Sequence, residues 1–77
     1  MPKYQPGDFI KAEFKDEKTG ENEWMWVKVE SSDDERRIIF GTLDNEPAVM
    51  HELTLGMELA VSYDNIRDHR TLSSFRQ

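Results

Sequence analysis

The chain has 77 residues, of which 36% are hydrophobic and 34% charged, and a formal net charge of −6 at pH 7. This length allows one small domain, and no apolar run approaches the length of a membrane span or of a signal-peptide core. The absence of cysteine excludes disulfides and thiolate metal sites. We therefore expect a single domain that resides in the cytoplasm.

The negative charge is concentrated in the body of the chain. Residues 1–64 hold 7 Lys and Arg against 15 Asp and Glu, whereas residues 65–77 hold three arginines against one aspartate. An acidic surface repels phosphate backbones and attracts basic partners. We therefore expect a protein partner of basic character rather than nucleic acid, and no membrane, with the chain a monomer or a weak homodimer. A surface that only keeps the chain soluble is the alternative explanation.

Apolar and polar residues alternate over the first half of the chain, which is the period of a β-strand. The first predicted strand covers residues 9–15, and a polar turn ending at Gly20 follows it. The second strand covers residues 24–30, where Met25, Val27 and Val29 point to one face. The tryptophans of this strand, Trp24 and Trp26, point to the other face.

Two further strands follow. The third covers residues 36–43, with Ile38 and Phe40 on one face and Ile39 on the other, and the fourth covers residues 57–63. Between them, residues 48–55 form a loop or one helical turn. After Asp64, a short turn and a loose tail are predicted, because no helical stripe is present.

Short strands joined by short turns predict a meander, which must curl to bury one face and protect its edges. We therefore expect an all-β domain, namely a small antiparallel SH3-like barrel of about five short strands. An OB-like barrel and a small α+β sheet are the alternatives. The domain is predicted to cover residues 4–68, with a C-terminal tail at residues 69–77.

Five short segments carry a resemblance to a known family. They are Gly7–Lys11, Glu23–Val27, Gly41–Pro47, Leu55–Gly56 and Ile66–Asp68. In this order they resemble the bacterial family catalogued as domain of unknown function 2314, the YegJ-like proteins. Members often have a tryptophan where this chain has His69. The resemblance implies no known activity, substrate or cofactor.

No pattern of catalytic or metal-binding residues stands out. His51 and His69 lie far apart, without the spacing of metal ligands. The four glycines are isolated, so no phosphate-binding loop is predicted, and the serines lack a neighbouring base. We therefore expect no catalytic residues, no metal and no cofactor, and a domain that is not an enzyme.

The two tryptophans are the first candidates for binding. If the face of Met25 fills the core, Trp24 and Trp26 lie outside, where Phe9 or Ile39 of neighbouring strands could join them. Exposed aromatic side chains on small barrels bind peptides or single-stranded nucleic acid. The alternative is that the tail covers both tryptophans through Leu72 and Phe75.

The segment that follows the third strand is the second candidate. Asp44 and Asn45 favour local bonds between side chain and backbone, and Pro47 biases Glu46 towards an extended conformation. These properties account for a structural turn. They also describe a rigid acidic loop that presents Asp44 and Glu46 to a basic partner.

Two functions remain open. The first is a non-catalytic protein-interaction module with an acidic surface, for which an immunity or inhibitor role is one concrete form. Its predicted partner-binding residues are Trp24, Trp26, Asp44, Asn45 and Glu46. The second is a single-stranded nucleic-acid-binding barrel in which the tryptophans stack on bases. The charge disfavours the second, because such binding rests on neutralised phosphates.

Overall fold

A computed structural model describes residues 3–48 and 52–71 of the chain. Within them it contains five strands and one 3₁₀ turn, and no α-helix. The all-β prediction is therefore confirmed. The elements are β1 (Phe9–Lys15), β2 (Asn22–Asp33), β3 (Ile38–Leu43), β4 (Glu58–Ser62), the 3₁₀ turn (Tyr63–Asn65) and β5 (Ile66–Arg70).

The five strands form one antiparallel sheet in the order β4-β3-β2-β1-β5. The first four strands make the predicted meander, and β5 returns to pair with β1. The sheet is open, with β4 and β5 at its edges. The predicted small antiparallel domain of about five strands is confirmed. Its strands form one open sheet where an SH3-like barrel is predicted, and β2 is long, with 12 residues.

One face of the sheet supplies the core. Ile10 lies opposite Val27, and Ala12 lies opposite Met25, so the period-two alternation of β1 and β2 buries the same face. Each large side chain buried there contributes about 1.5–3 kcal/mol relative to an exposed one. The core residues are Tyr4, Ile10, Ala12, Met25, Val27, Val29, Ile39, Leu43, Val61 and Tyr63.

The position of Ile39 corrects one expectation. Ile39 is fully buried and lies opposite Val61, so it belongs to the core and is not a neighbour of the tryptophans. Phe40 lies on the outer face of β3, where it is 41% exposed. The alternation predicted for β3 is correct, and the possibility that Ile39 joins the tryptophans is wrong.

β5 corrects a second expectation, because a short turn and a loose tail are predicted after Asp64, whereas residues 66–70 form a strand. These residues pair with β1 and form one edge of the sheet. The pairing contains a bulge, because Lys11 lies opposite Asp68 whereas Ala12 lies opposite Ile66. This bulge breaks the alternation that would have identified the strand.

Gly41 lies on β3 against the backbone of β2. A Cβ atom at this position would lie 2.2 Å from the backbone oxygen of Lys28. Only glycine fits without moving a strand, which explains the residue that begins the Gly41–Pro47 segment.

Candidate functional site

Both tryptophans lie on the outer face of the sheet, opposite the core. In the register of β1 and β2, Trp24 lies opposite Glu13 and Trp26 lies opposite Lys11. Trp24 is 56% exposed, whereas Trp26 is partly buried. The predicted cover by Leu72 and Phe75 falls outside the described residues. Within them, Trp24 is the most exposed aromatic side chain of the sheet.

Trp26 is held by its neighbour on β1. The ammonium nitrogen of Lys11 lies 5.1 Å from the centre of the Trp26 ring, within the range of a cation–π interaction. Such a contact contributes about 0.5–1 kcal/mol at an exposed position. Lys11 therefore covers the Trp26 ring on this face, and Trp24 is the ring that faces solvent.

The segment after β3 is fixed against β2 by Asn45. The Asp44 N–H donates to the backbone oxygen of Trp26 at 2.8 Å, and the Trp26 N–H donates to Asn45 Oδ1 at 2.7 Å. The Asn45 side chain thereby continues the hydrogen bonding of the sheet past the end of β3. Further along, the Ala48 N–H donates to Glu23 Oε2 at 2.6 Å.

The five residues predicted to bind a partner therefore lie in neighbouring segments of the fold. Asn45 is partly buried, and its side chain holds the loop against β2 by a hydrogen bond. Asp44 and Glu46 are exposed. We call this set the tryptophan–loop surface, and it consists of Trp24, Trp26, Asp44, Asn45 and Glu46.

A groove of about 840 Å³ begins one strand away from Trp24. Its floor contains an ion pair in which Arg67 Nη2 lies 2.8 Å from Glu13 Oε1. The Arg67 side chain also donates to the backbone oxygen of Asp64 at 2.9 Å. We call this feature the hairpin groove. It is lined by Glu13, Lys15, Asp16, Glu17, Lys18, Glu52, Asn65 and Arg67.

Sequence reasoning missed the hairpin groove. Its lining residues come from β1, from the turn before β2, and from segments near residues 52 and 65, which no local pattern connects. The bulge that turns Arg67 towards Glu13 is a property of the β1–β5 pairing. The only sequence signal is the density of charged residues between positions 13 and 18.

A second cluster joins the N-terminal segment to β5. Asp8 is 6% exposed, and its Oδ2 atom lies 2.8 Å from His69 Nε2 and accepts the Gln5 N–H at 3.1 Å. The Tyr4 ring packs edge-on against His69 and against Tyr63, with ring centres 4.7 and 4.8 Å apart. These contacts hold the N-terminal segment over the core.

The same cluster contains a short hydrogen bond from a tyrosine. The Tyr63 hydroxyl donates to Asp34 Oδ1 at 2.5 Å. Burial raises the pKa of Tyr63 above its ordinary value, and the bond to Asp34 raises it further. Burial also raises the pKa of Tyr4, against the opposing effect of Arg37. Neutral phenols are therefore favoured in the folded state.

The described part of the chain contains no group of three or more His, Cys, Asp or Glu residues that could hold a metal ion. His51 lies outside it. None of the helices in the described residues is long and apolar enough to cross a lipid bilayer.

Comparison with known proteins places the chain in a family. Comparison with curated proteins gave no match, and comparison with solved structures gave none either. A family model described as "Uncharacterized protein conserved in bacteria (DUF2314)" matches residues 3–76. The match covers nearly the whole chain and confirms the family expected from the five sequence segments. The chain belongs to the DUF2314 family of uncharacterized proteins conserved in bacteria.

Proposed function

We propose that this chain is a non-catalytic protein-interaction module that acts in the cytoplasm and contacts its partner through the tryptophan–loop surface. The observation that carries the proposal is the exposure of Trp24, at 56%, on a sheet face beside a fixed loop. Tryptophan is among the residues most enriched at the energetic centres of protein interfaces.

The loop supports the same proposal through its rigidity. Association costs free energy when side chains and loops become ordered at an interface, and a loop that is already fixed reduces this cost. The bonds of Asp44 and Asn45 to Trp26 fix the loop in the free chain. Asp44 and Glu46 then stand at the border of the surface, where carboxylates favour a basic partner and speed its association.

The size and charge of the chain fit a role as a small inhibitor of another protein. An immunity or inhibitor role is one form of the proposal, in which an acidic domain covers a basic protein. It rests on the net charge of −6 and on the 77-residue length, and it shares its test with the broader proposal.

Affinity capture with matched variants tests the proposed surface. Tagged wild-type chain, Trp24→Ala and Phe40→Ala would be used to capture proteins from a bacterial lysate. Phe40 is a suitable control, because it is an aromatic residue of the outer face that is 41% exposed. We expect Trp24→Ala to lose a partner that wild type and Phe40→Ala both retain, with a loss of affinity of about tenfold or more. Retention of every partner by folded Trp24→Ala would contradict the proposal.

A single-stranded nucleic-acid-binding function is the second candidate. The observation in its favour is that the tryptophans share their face of the sheet with cations. Trp26 lies opposite Lys11. On the same face, Phe9 lies opposite Lys28 on one side and Arg70 on the other. Two observations weigh against it. Arg67 is paired with Glu13, and Arg70 is paired with Asp68, so these guanidinium groups already face carboxylates.

Fluorescence titration separates the two candidates. Single-stranded oligonucleotides would be added to the chain while tryptophan emission is followed. Quenching that weakens as salt is raised would support nucleic-acid binding, because phosphate contacts release counterions. We expect no saturable change in tryptophan emission, because the proposed surface binds a protein and not an oligonucleotide.

A further inference from the structure

The outer face of β2 shows how a cation binds a tryptophan in this fold. Lys11 of β1 lies opposite Trp26 and places its ammonium group over the ring. At the equivalent position beside Trp24, β1 supplies Glu13. Among the described residues, cations stack on Tyr4, Trp26 and Tyr63, and none stacks on Trp24.

The Trp24 ring is therefore a free aromatic face with a carboxylate beside it. Glu13 holds Arg67 in the adjacent hairpin groove at 2.8 Å, so this carboxylate already binds one guanidinium group. A second cation placed over Trp24 would meet the negative face of the ring, which attracts arginine and lysine.

The charge around Trp24 favours the same ligand. The hairpin turn, the start of β2, the Asp44–Ala48 loop and the hairpin groove carry eight of the 16 acidic residues of the chain. Only three cations accompany them, so most of the net charge of −6 lies at this end of the sheet. The acidic residues are Glu13, Asp16, Glu17, Glu21, Glu23, Asp44, Glu46 and Glu52, and the cations are Lys15, Lys18 and Arg67.

We propose that the partner of this module presents an extended, arginine-containing cationic segment, with one arginine stacked on Trp24 and its neighbours in the hairpin groove. This proposal rests on the proposed function and names the chemistry of its partner. Arginine fits better than lysine, because its planar guanidinium stacks on an indole ring while donating to a carboxylate. The segment must be extended to reach from Trp24 across β1 into the groove.

Peptide titration followed by NMR tests this proposal on the purified chain. An arginine-rich peptide, a lysine-rich peptide and an acidic peptide of equal length would be added, and the indole N–H signals of both tryptophans followed. We expect the arginine-rich peptide to shift the Trp24 signal and the amides of residues 13–18 in a saturable manner. The lysine-rich peptide should bind more weakly, the acidic one should not bind, and added salt should weaken binding.

Variants locate the contact. Trp24→Ala should weaken binding of the arginine-rich peptide about tenfold, and Glu17→Gln combined with Glu52→Gln should weaken it while leaving the fold intact, because both side chains are exposed. Glu35→Gln, which changes a carboxylate in the turn between β2 and β3, should have no effect.

Two results would overturn the proposal. One is equal affinity of wild type and Trp24→Ala for the arginine-rich peptide, and the other is the absence of any saturable shift. If affinity capture still depends on Trp24 in that case, the interaction module stands and only the cationic partner is wrong. If capture does not depend on Trp24 either, the proposed function fails with it.

Discussion

Asn45 makes the Gly41–Pro47 segment a fixed part of the molecule. β3 ends at Leu43, and the next backbone donor of β2 would have no strand partner beyond that point. The Asn45 side chain accepts this hydrogen bond at 2.7 Å. The residue therefore links the packing of the sheet to the position of the acidic loop.

Substitution of Asn45 tests this role at the scale of one residue. Asn45→Ala leaves the partly buried Trp26 N–H without its partner, so we expect a loss of about 1–3 kcal/mol in the free energy of unfolding. Asn45→Asp keeps an oxygen acceptor of nearly the same shape, so it should lose clearly less. Urea unfolding of both variants gives the values. Equal losses for the two would show that the hydrogen bond is not what holds the loop.

At the scale of elements, β2 combines two functions in one strand. Its inward residues fill the core, and its outward residues carry both tryptophans. The N-terminal segment and the 3₁₀ turn close the other end of the core through Tyr4 and Tyr63. The pKa values of Tyr4 and Tyr63 are both raised at this end, so we expect the stability of the fold to depend on pH in the alkaline range.

The raised tyrosine pKa values predict the sign of that dependence. Tyr4 and Tyr63 hold their protons more tightly in the folded chain than in the unfolded one, where the pKa is about 10. Their contribution to stability is therefore full below about pH 10 and is lost as pH rises through the raised values.

Thermal unfolding over the alkaline range checks this dependence. Tyr63→Phe removes the titrating hydroxyl along with its bond to Asp34, so the variant should be less stable near neutrality. It should then lose less stability than wild type above about pH 10. Parallel pH profiles for the two chains would contradict the predicted linkage.

At the scale of the whole molecule, the sequence predicts the sheet better than the site. Alternation in residues 9–15 and 24–30 correctly separates the two faces of β1 and β2, because the residues of one face are uniformly apolar. β5 was missed, because the extra residue at Arg67 disrupts the alternation and its outward residues are charged. This strand is stabilised by its pairing with β1, which is distant in sequence, so the local sequence pattern does not predict it.

For the candidate surface too, local sequence predicts some features, and the pairing of distant segments determines the others. Period two within one strand predicts that Trp24 and Trp26 share a face. That this face is the outer one follows from the packing of Met25 into the core. The difference between the two tryptophans is not predicted by period two, since it depends on which β1 residue lies opposite each ring, Lys11 or Glu13. The hairpin groove depends on contacts between distant segments, and so no local pattern predicts it.

Site-specific photo-crosslinking tests the central claim most directly. A photoreactive phenylalanine analogue would replace Trp24 in one chain and Phe40 in another, and both would be irradiated in cells. We predict a discrete crosslinked protein adduct from position 24 and none from position 40. The same adducts from both positions, or an adduct from position 40 alone, would contradict the claim that this chain binds its partner through the tryptophan–loop surface.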